Sequence, residues 1–263
     1  IEIFDLEMLG LIKTAFPGLN HLAIDGIEKL QSSVICNGQL LSAFPKLKFL
    51  QLGWDHILVN NAKLNNANEQ QQKNHKTPWS YLESLSLATS AAEDEQLSLF
   101  EQNVIIEQFF HNSKGATMKQ LRHLNFGSDI SDKALLAVVQ HLQQSSTRLS
   151  RLSCGSAAFE QISTASTLPA TLKFSTMDAL VSGPLCKTLT RIEMEQAIPY
   201  EAFPLFAKCK SLRYLNCILG KDSQAAVAAS IASIEAQEKL DKLILKGDAP
   251  TSQLVKHMCS LFP

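Results

Sequence analysis

Leu121-Arg122-His123-Leu124-Asn125-Phe126, followed by Ser131-Asp132-Lys133-Ala134-Leu135-Leu136-Ala137-Val138-Val139, decides how this chain is read. In the first stretch, apolar residues alternate with polar ones. Alternation puts Leu124 and Phe126 on one face of a short strand and His123 and Asn125 on the other. The second stretch is apolar at helical spacing, with Ser131 or Asp129 as its N-cap. The unit is strand, turn and helix.

The pattern Leu-x-x-Leu-x-Leu returns along the chain. Copies stand at residues 19–24, 47–52, 82–87, 149–154, 189–194, 212–217 and 240–245. Successive starts, with residue 121 included, lie 28, 35, 39, 28, 40, 23 and 28 residues apart. A degenerate copy at 169–174, Pro169 to Phe174, divides the longest gap and brings the expected strands to nine. One three-residue strand cannot bury its apolar face alone, and a stack of parallel copies can. Helices are bulkier than such strands. The expected fold is therefore α/β, a curved solenoid with about nine short parallel strands inside and helices outside, forming one domain over residues 1–263.

Helical rhythm fills the gaps between strands. Residues 28–44 carry Leu30, Val34, Leu40, Leu41 and Phe44, and residues 95–110 carry Leu97, Phe100, Val104, Ile105 and Phe109. Residues 131–144, 176–181, 199–208 and 222–238 complete the set. Residues 1–16 read as a helix that follows an earlier strand, so the domain is expected to be truncated at both ends. Between Asn60 and Asn74 stand six Asn and three Gln, and residues 60–78 read as a disordered-like surface insertion.

The totals bound the function. The 263 residues are 45% hydrophobic and 19% charged, with net charge −1. That balance argues against general nucleic-acid binding, which needs clustered cations. No apolar run approaches the roughly 20 residues needed to span a bilayer. Six cysteines are scattered without a C-x-x-C pair, and Cys154 and Cys217 occupy ladder positions, so they read as buried, reduced thiols. The expected compartment is cytoplasmic or nuclear.

These residues resemble the leucine-rich-repeat family, in its ribonuclease-inhibitor-like and cysteine-containing class. The fourth unit carries the resemblance best. Its strand, followed by Ile130-Ser131-Asp132-Lys133-Ala134-Leu135, is similar to the strand and I-[ST]-D-x-[GA]-L of F-box leucine-rich-repeat proteins. The C-P-x-L element of that class is similar to Phe16-Pro17-x-Leu19, Phe44-Pro45-x-Leu47 and Cys209-Lys210-x-Leu212. The family's Asn or Cys three positions beyond the last strand leucine is replaced by Ile27, Asp55, Ser90, Asp129, Ala157, Ala197, Gly220 and Asp248. Turn backbone groups then need other partners, for which Asp55, Asp129 and Asp248 are candidates.

The resemblance implies a protein-recognition module, most specifically the substrate-binding part of an F-box-type ubiquitin ligase adaptor. Another protein would bind the concave face, and a segment before residue 1 would bind the ligase scaffold. An inhibitor or pathogen effector using the same bowl is the alternative, and a GTPase-activating role ranks below both. The expected partner-binding residues lie between the ladder leucines: Phe49, Gln51, Trp54, His123, Asn125, Arg151, Arg191, Glu193, Glu195, Tyr214, Asn216 and Lys242. Aromatic and Arg side chains on an exposed face are what partner surfaces use.

No catalytic or metal constellation and no cofactor motif is read from the sequence. His21 and His123 stand on different strands, too far apart for one hydrogen-bonded pair. Glu193 and Glu195 share a face beside Arg191 and read as a salt-bridged patch. His111 and His141 read as cations at helix ends.

Overall fold

The computed structural model describes residues 1–31, 34, 39–58, 81–89, 106–107, 110, 118–127, 130–155, 172–219 and 240–246. They fall into two compact units, Ile1–His123 with Gln144–Thr147, and Leu124–Gln143 with Arg148–Pro263. The described strands are all parallel and pair in chain order within each unit. The sequence insertion at 60–78, the 222–238 helix and most of the 95–110 helix lie outside the described residues.

The first unit holds β1 (Ile3–Phe4), α1 (Leu6–Ala15), β2 (His21–Gln31), α2 (Gln39–Ala43), β3 (Phe49–Leu58) and β4 (Ser84–Thr89). The motif positions align across it. Leu22 pairs with Leu50 and Leu50 with Leu85, while Ile24 pairs with Leu52 and Leu52 with Leu87. All the leucines in these two rows are buried. At about 25 cal/mol per Å² of apolar surface removed from water, such a ladder is the main stabilising term.

Beginning at His123, β5 (His123–Phe126) crosses the boundary between the units. The second unit continues with α3 (Asp132–Gln144), β6 (Arg151–Cys154), α4 (Phe174–Ser182), β7 (Arg191–Ile198), β8 (Tyr214–Leu219) and β9 (Lys242–Lys246). Its rows are Leu152, Ile192, Leu215, Leu243 and Cys154, Met194, Cys217, Leu245. Ser131 caps α3 as expected, its Oγ accepting from Ala134 N at 3.1 Å. One face of that helix buries Ala134, Leu135, Val138, Val139 and Leu142.

Register is set at the strand entrances by one recurring device. Two successive N–H groups donate to a single carbonyl at the second motif position of the preceding strand. Lys48 and Phe49 donate to Asn20 O at 2.8 and 3.2 Å, and Glu83 and Ser84 to Lys48 O at 2.8 and 3.0 Å. In the second unit Arg213 and Tyr214 donate to Thr190 O, and Asp241 and Lys242 to Arg213 O, at 2.8–3.1 Å. The turns before β2, β3, β5 and β8 are equally regular. The first motif leucine donates to the carbonyl three residues back: Leu19 to Phe16, Leu47 to Phe44, Leu121 to Met118 and Leu212 to Cys209. Pro17 and Pro45 occupy the second turn position, where their fixed φ suits the turn.

Several elements differ from expectation. Ile3–Phe4 is a strand pairing with Lys29 and Leu30, so the N-terminal helix starts only at Leu6. Residues 28–31 belong to β2 rather than to a helix, because β1 and β3 flank them on both sides. The degenerate strand at 169–174 is not seen in its described part. Leu172 and Lys173 are irregular, and Phe174 opens α4, whose Met177, Leu180 and Val181 are buried at helical spacing. Tyr200–Lys208 is a 3-10 helix with Pro204 inside it. A proline there removes an N–H that an α-helix would use.

Candidate functional site

Strands β2 to β8 turn their ladder residues inward and their intervening residues outward, so register converts the repeat into rows on the outer face. In the second unit the first row is Arg151, Arg191, Tyr214, Lys242, each in direct register with the next. The second row is Ser153, Glu193, Asn216, Ile244.

These two rows form one connected cluster. Arg191 pairs with Glu193 on its own strand, and its Nε donates to Glu193 Oε1 at 2.6 Å. The Arg191 guanidinium also lies 4.1 Å from the centroid of Tyr214, and Lys242 Nζ lies 5.6 Å from the same ring. Cation–π contacts of this kind contribute roughly 0.5–1 kcal/mol at exposed sites. Ser153 Oγ donates to Glu193 Oε2 at 3.4 Å. Further along the strands, Glu195 pairs with Lys246 at 3.6 Å. Both expected carboxylates are thus matched by a cation, which agrees with the salt-bridged reading.

Unit one carries a different, near-neutral set. His21 stacks on Phe49 with ring centroids 5.2 Å apart, and Phe49 keeps 37% exposure. Gln51 Nε2 donates to both oxygens of Asp25, at 3.1 and 3.0 Å. His123 and Asn125 are half-buried on β5, alternating with buried Leu124 and Phe126.

One expected site residue is misplaced. Trp54 is not on the outer face: it is 1% exposed and ranks among the largest side chains of the core. Alternation accounts for this, because Leu50, Leu52 and Trp54 keep the same parity along β3. The neighbouring strand accommodates the tryptophan by a bulge. Between Ile24 and Ile27 the register slips by one residue, with Gly26 at φ +68°, and Ile27 then pairs with Trp54.

β7 is irregular at the corresponding place, its register against β8 shifting by two residues between Met194 and Ala197. Gln196 keeps the inward parity of Ile192 and Met194 and is completely buried. Its Nε2 donates to Ile130 O at 2.8 Å, and its Oε1 accepts from Ile130 N at 3.1 Å. Gln196 therefore satisfies the turn after β5, the role expected of acidic residues. The side chains of Asp55, Asp129 and Asp248 lie outside the described residues. Only the glutamine's position two residues past the last ladder residue could have signalled this.

His141 is another departure. It is buried, and removal from water holds its imidazole below the usual range. Burial disfavours the charged form there, against the expected helix-end cation. His111 lies outside the described residues.

Among the described residues, no group of three or more His, Cys, Asp or Glu side chains could hold a metal ion. No described helix is long and apolar enough to cross a membrane. No protein-family model matches the chain, and no curated protein sequence matches it. The resemblance to leucine-rich repeats thus rests on the repeat and on its pairing in register.

Proposed function

We propose that this chain is a leucine-rich-repeat-type module that recognises another protein through the outward rows of its strands and carries out no catalysis itself. A single observation supports the reading: register collects Arg151, Arg191, Tyr214 and Lys242 into one row, in which Tyr214 lies within cation–π reach of both Arg191 and Lys242. An ordered aromatic next to an Arg is the kind of anchor on which partner binding concentrates. The most specific form of the proposal is the substrate-binding part of an F-box-type ubiquitin ligase adaptor, with the scaffold bound by a segment outside this chain and the protein working in the cytoplasm or nucleus.

The test is site-specific photo-crosslinking. A benzophenone side chain at position 49 or 216 should capture a partner in cell extract that the same group at Lys133 or Lys208, on the helices, does not. Arg191→Glu with Tyr214→Ala should abolish capture through the second unit while the protein stays folded. Unchanged capture by the folded double variant overturns this assignment of the face. An F-box encoded upstream of Ile1 supports the ligase form, and a transcript that starts translation near Ile1 overturns it.

A further inference from the structure

The first outward row of the second unit is charged in one sense. Arg151, Arg191 and Lys242 stand on three of its four strands, with Tyr214 on the remaining one. Two rows further on, Lys246 adds a fourth cation. Against these the outer face sets two carboxylates, Glu193 and Glu195, and both are engaged: Glu193 by Arg191, Glu195 by Lys246. That leaves Arg151 and Lys242, both exposed, at the two ends of the row, with no ion pair for either among the described residues.

Geometry fixes what those two ends can read. Adjacent strands lie about 4.8 Å apart, so Arg151 and Lys242 are separated by three steps, roughly 14 Å. An extended peptide rises about 3.3 Å per residue, and its alternate side chains point the same way. Residues four apart on such a peptide are therefore about 13 Å apart on one face. A segment lying across the strands can set one acid over Arg151 and another over Lys242, with the residue midway resting on Tyr214 and Arg191. The guanidinium offers a planar fork to carboxylates, and the lysine a point charge.

We propose that this row binds an extended acidic segment of a partner protein, with carboxylates spaced four residues apart held by Arg151 and Lys242 across the Arg191–Tyr214 stack. The inference rests on the recognition reading above and gives the partner its chemistry. Polynucleotide fits less well. Two uncompensated cations neutralise few phosphates, and the chain carries net charge −1.

The experiment uses the full 263-residue chain and fluorescence anisotropy at low salt. The probe is a labelled dodecapeptide of alternating Glu and Ser, with Gln-Ser and Lys-Ser peptides of the same length as controls. The Glu-Ser peptide should bind at least tenfold more tightly than either control and weaken as salt is added. Arg151→Gln and Lys242→Gln should each weaken it by roughly threefold or more, consistent with exposed ion pairs. Together they should weaken it at least tenfold. Lys13→Gln with Lys46→Gln, the same change of charge in the first unit, should leave binding unchanged.

Equal loss from the Lys13 and Lys46 pair overturns the proposal, because it reports net charge alone. So does absence of Glu-Ser binding, or equal binding of the Gln-Ser peptide. Tighter binding of a twelve-residue oligothymidylate, lost in the same two variants, overturns it in favour of nucleic acid. If a partner crosslinks through position 216 and the acidic peptide does not bind, the acidic assignment alone fails. If neither occurs, the recognition reading fails with it.

Discussion

The carboxamide of Gln196 and the backbone of Ile130 exchange two hydrogen bonds, at 2.8 and 3.1 Å, across 66 residues of sequence. Both are buried. The pair closes the turn between β5 and α3 from a strand two repeats away. A buried group left unsatisfied costs roughly 1–3 kcal/mol, and Gln196→Leu would orphan both the N–H and the carbonyl of Ile130. Denaturant unfolding of Gln196→Leu should show a loss of roughly 2–5 kcal/mol. Gln196→Glu keeps the acceptor but sets a buried carboxylate against the Ile130 carbonyl. Its folded-state pKa is then raised, so the variant should recover stability as pH falls from 8 to 5, relative to the natural chain. A flat difference across that range would remove Ile130 O from the account.

Gly155 and Glu195 give a second test of the same bulge. Gly155 sits at φ +111°, a region that L side chains rarely adopt, and a Cβ there would come within 2.5 Å of the Glu195 Cβ. Backbone strain of this kind costs roughly 1–3 kcal/mol before the clash is counted. Gly155→Ala should lower the midpoint of unfolding accordingly. Adding Glu195→Ala should not rescue it, because the interfering Cβ remains. Full rescue would place the conflict at the carboxylate instead.

The ladder and its outward rows were legible because a period of two is written directly into Leu-x-Leu. Leu124, 1% exposed, and its neighbours Asn125 and His123 fall where alternation puts them. Leu124→Ala should therefore cost roughly 2–5 kcal/mol in denaturant unfolding, as buried truncations do. Trp54 and Gln196 continue the parity of Leu52 and Met194, so alternation carried past the six-residue motif places both inward. Gln196 still reads as an outward residue by type, because a polar side chain is buried only where it finds partners, here the backbone of Ile130. Ile3 and Phe4 were hidden for a related reason. Two residues carry no period, and only Lys29 and Leu30 across from them make a strand.

His141 links burial to acid sensitivity. Its folded-state pKa is lowered by desolvation, while the unfolded imidazole titrates near 6.5. Below that pH the unfolded chain binds more protons than the folded one, so folding is opposed as pH falls toward the folded value. Above it both states are neutral and the group contributes no pH dependence. The stability difference between the natural chain and His141→Gln should be constant from pH 7 to 8. It should shift against the natural chain between pH 6.5 and 5. A constant difference throughout would mean that the ring is protonated as readily in the folded state.

The cysteines should separate by reactivity in the order of their burial. Cys154, Cys209 and Cys217 are buried and Cys186 is half-buried, none of the four in a disulfide. Burial pushes the Cys217 thiol up to about 12, and burial with the neighbouring Cys186 thiol does the same to Cys209. The thiolate is the reacting species, so both are inert at neutral pH while the fold holds. Of these four, Cys186 should be modified first in residue-resolved maleimide labelling under native conditions. Cys154, Cys209 and Cys217 should label only as the protein unfolds. Labelling at Cys217 as fast as at Cys186 would contradict the parity of β8, since Cys217 shares the inward face with Leu215, and the ladder of the second unit would have to be redrawn.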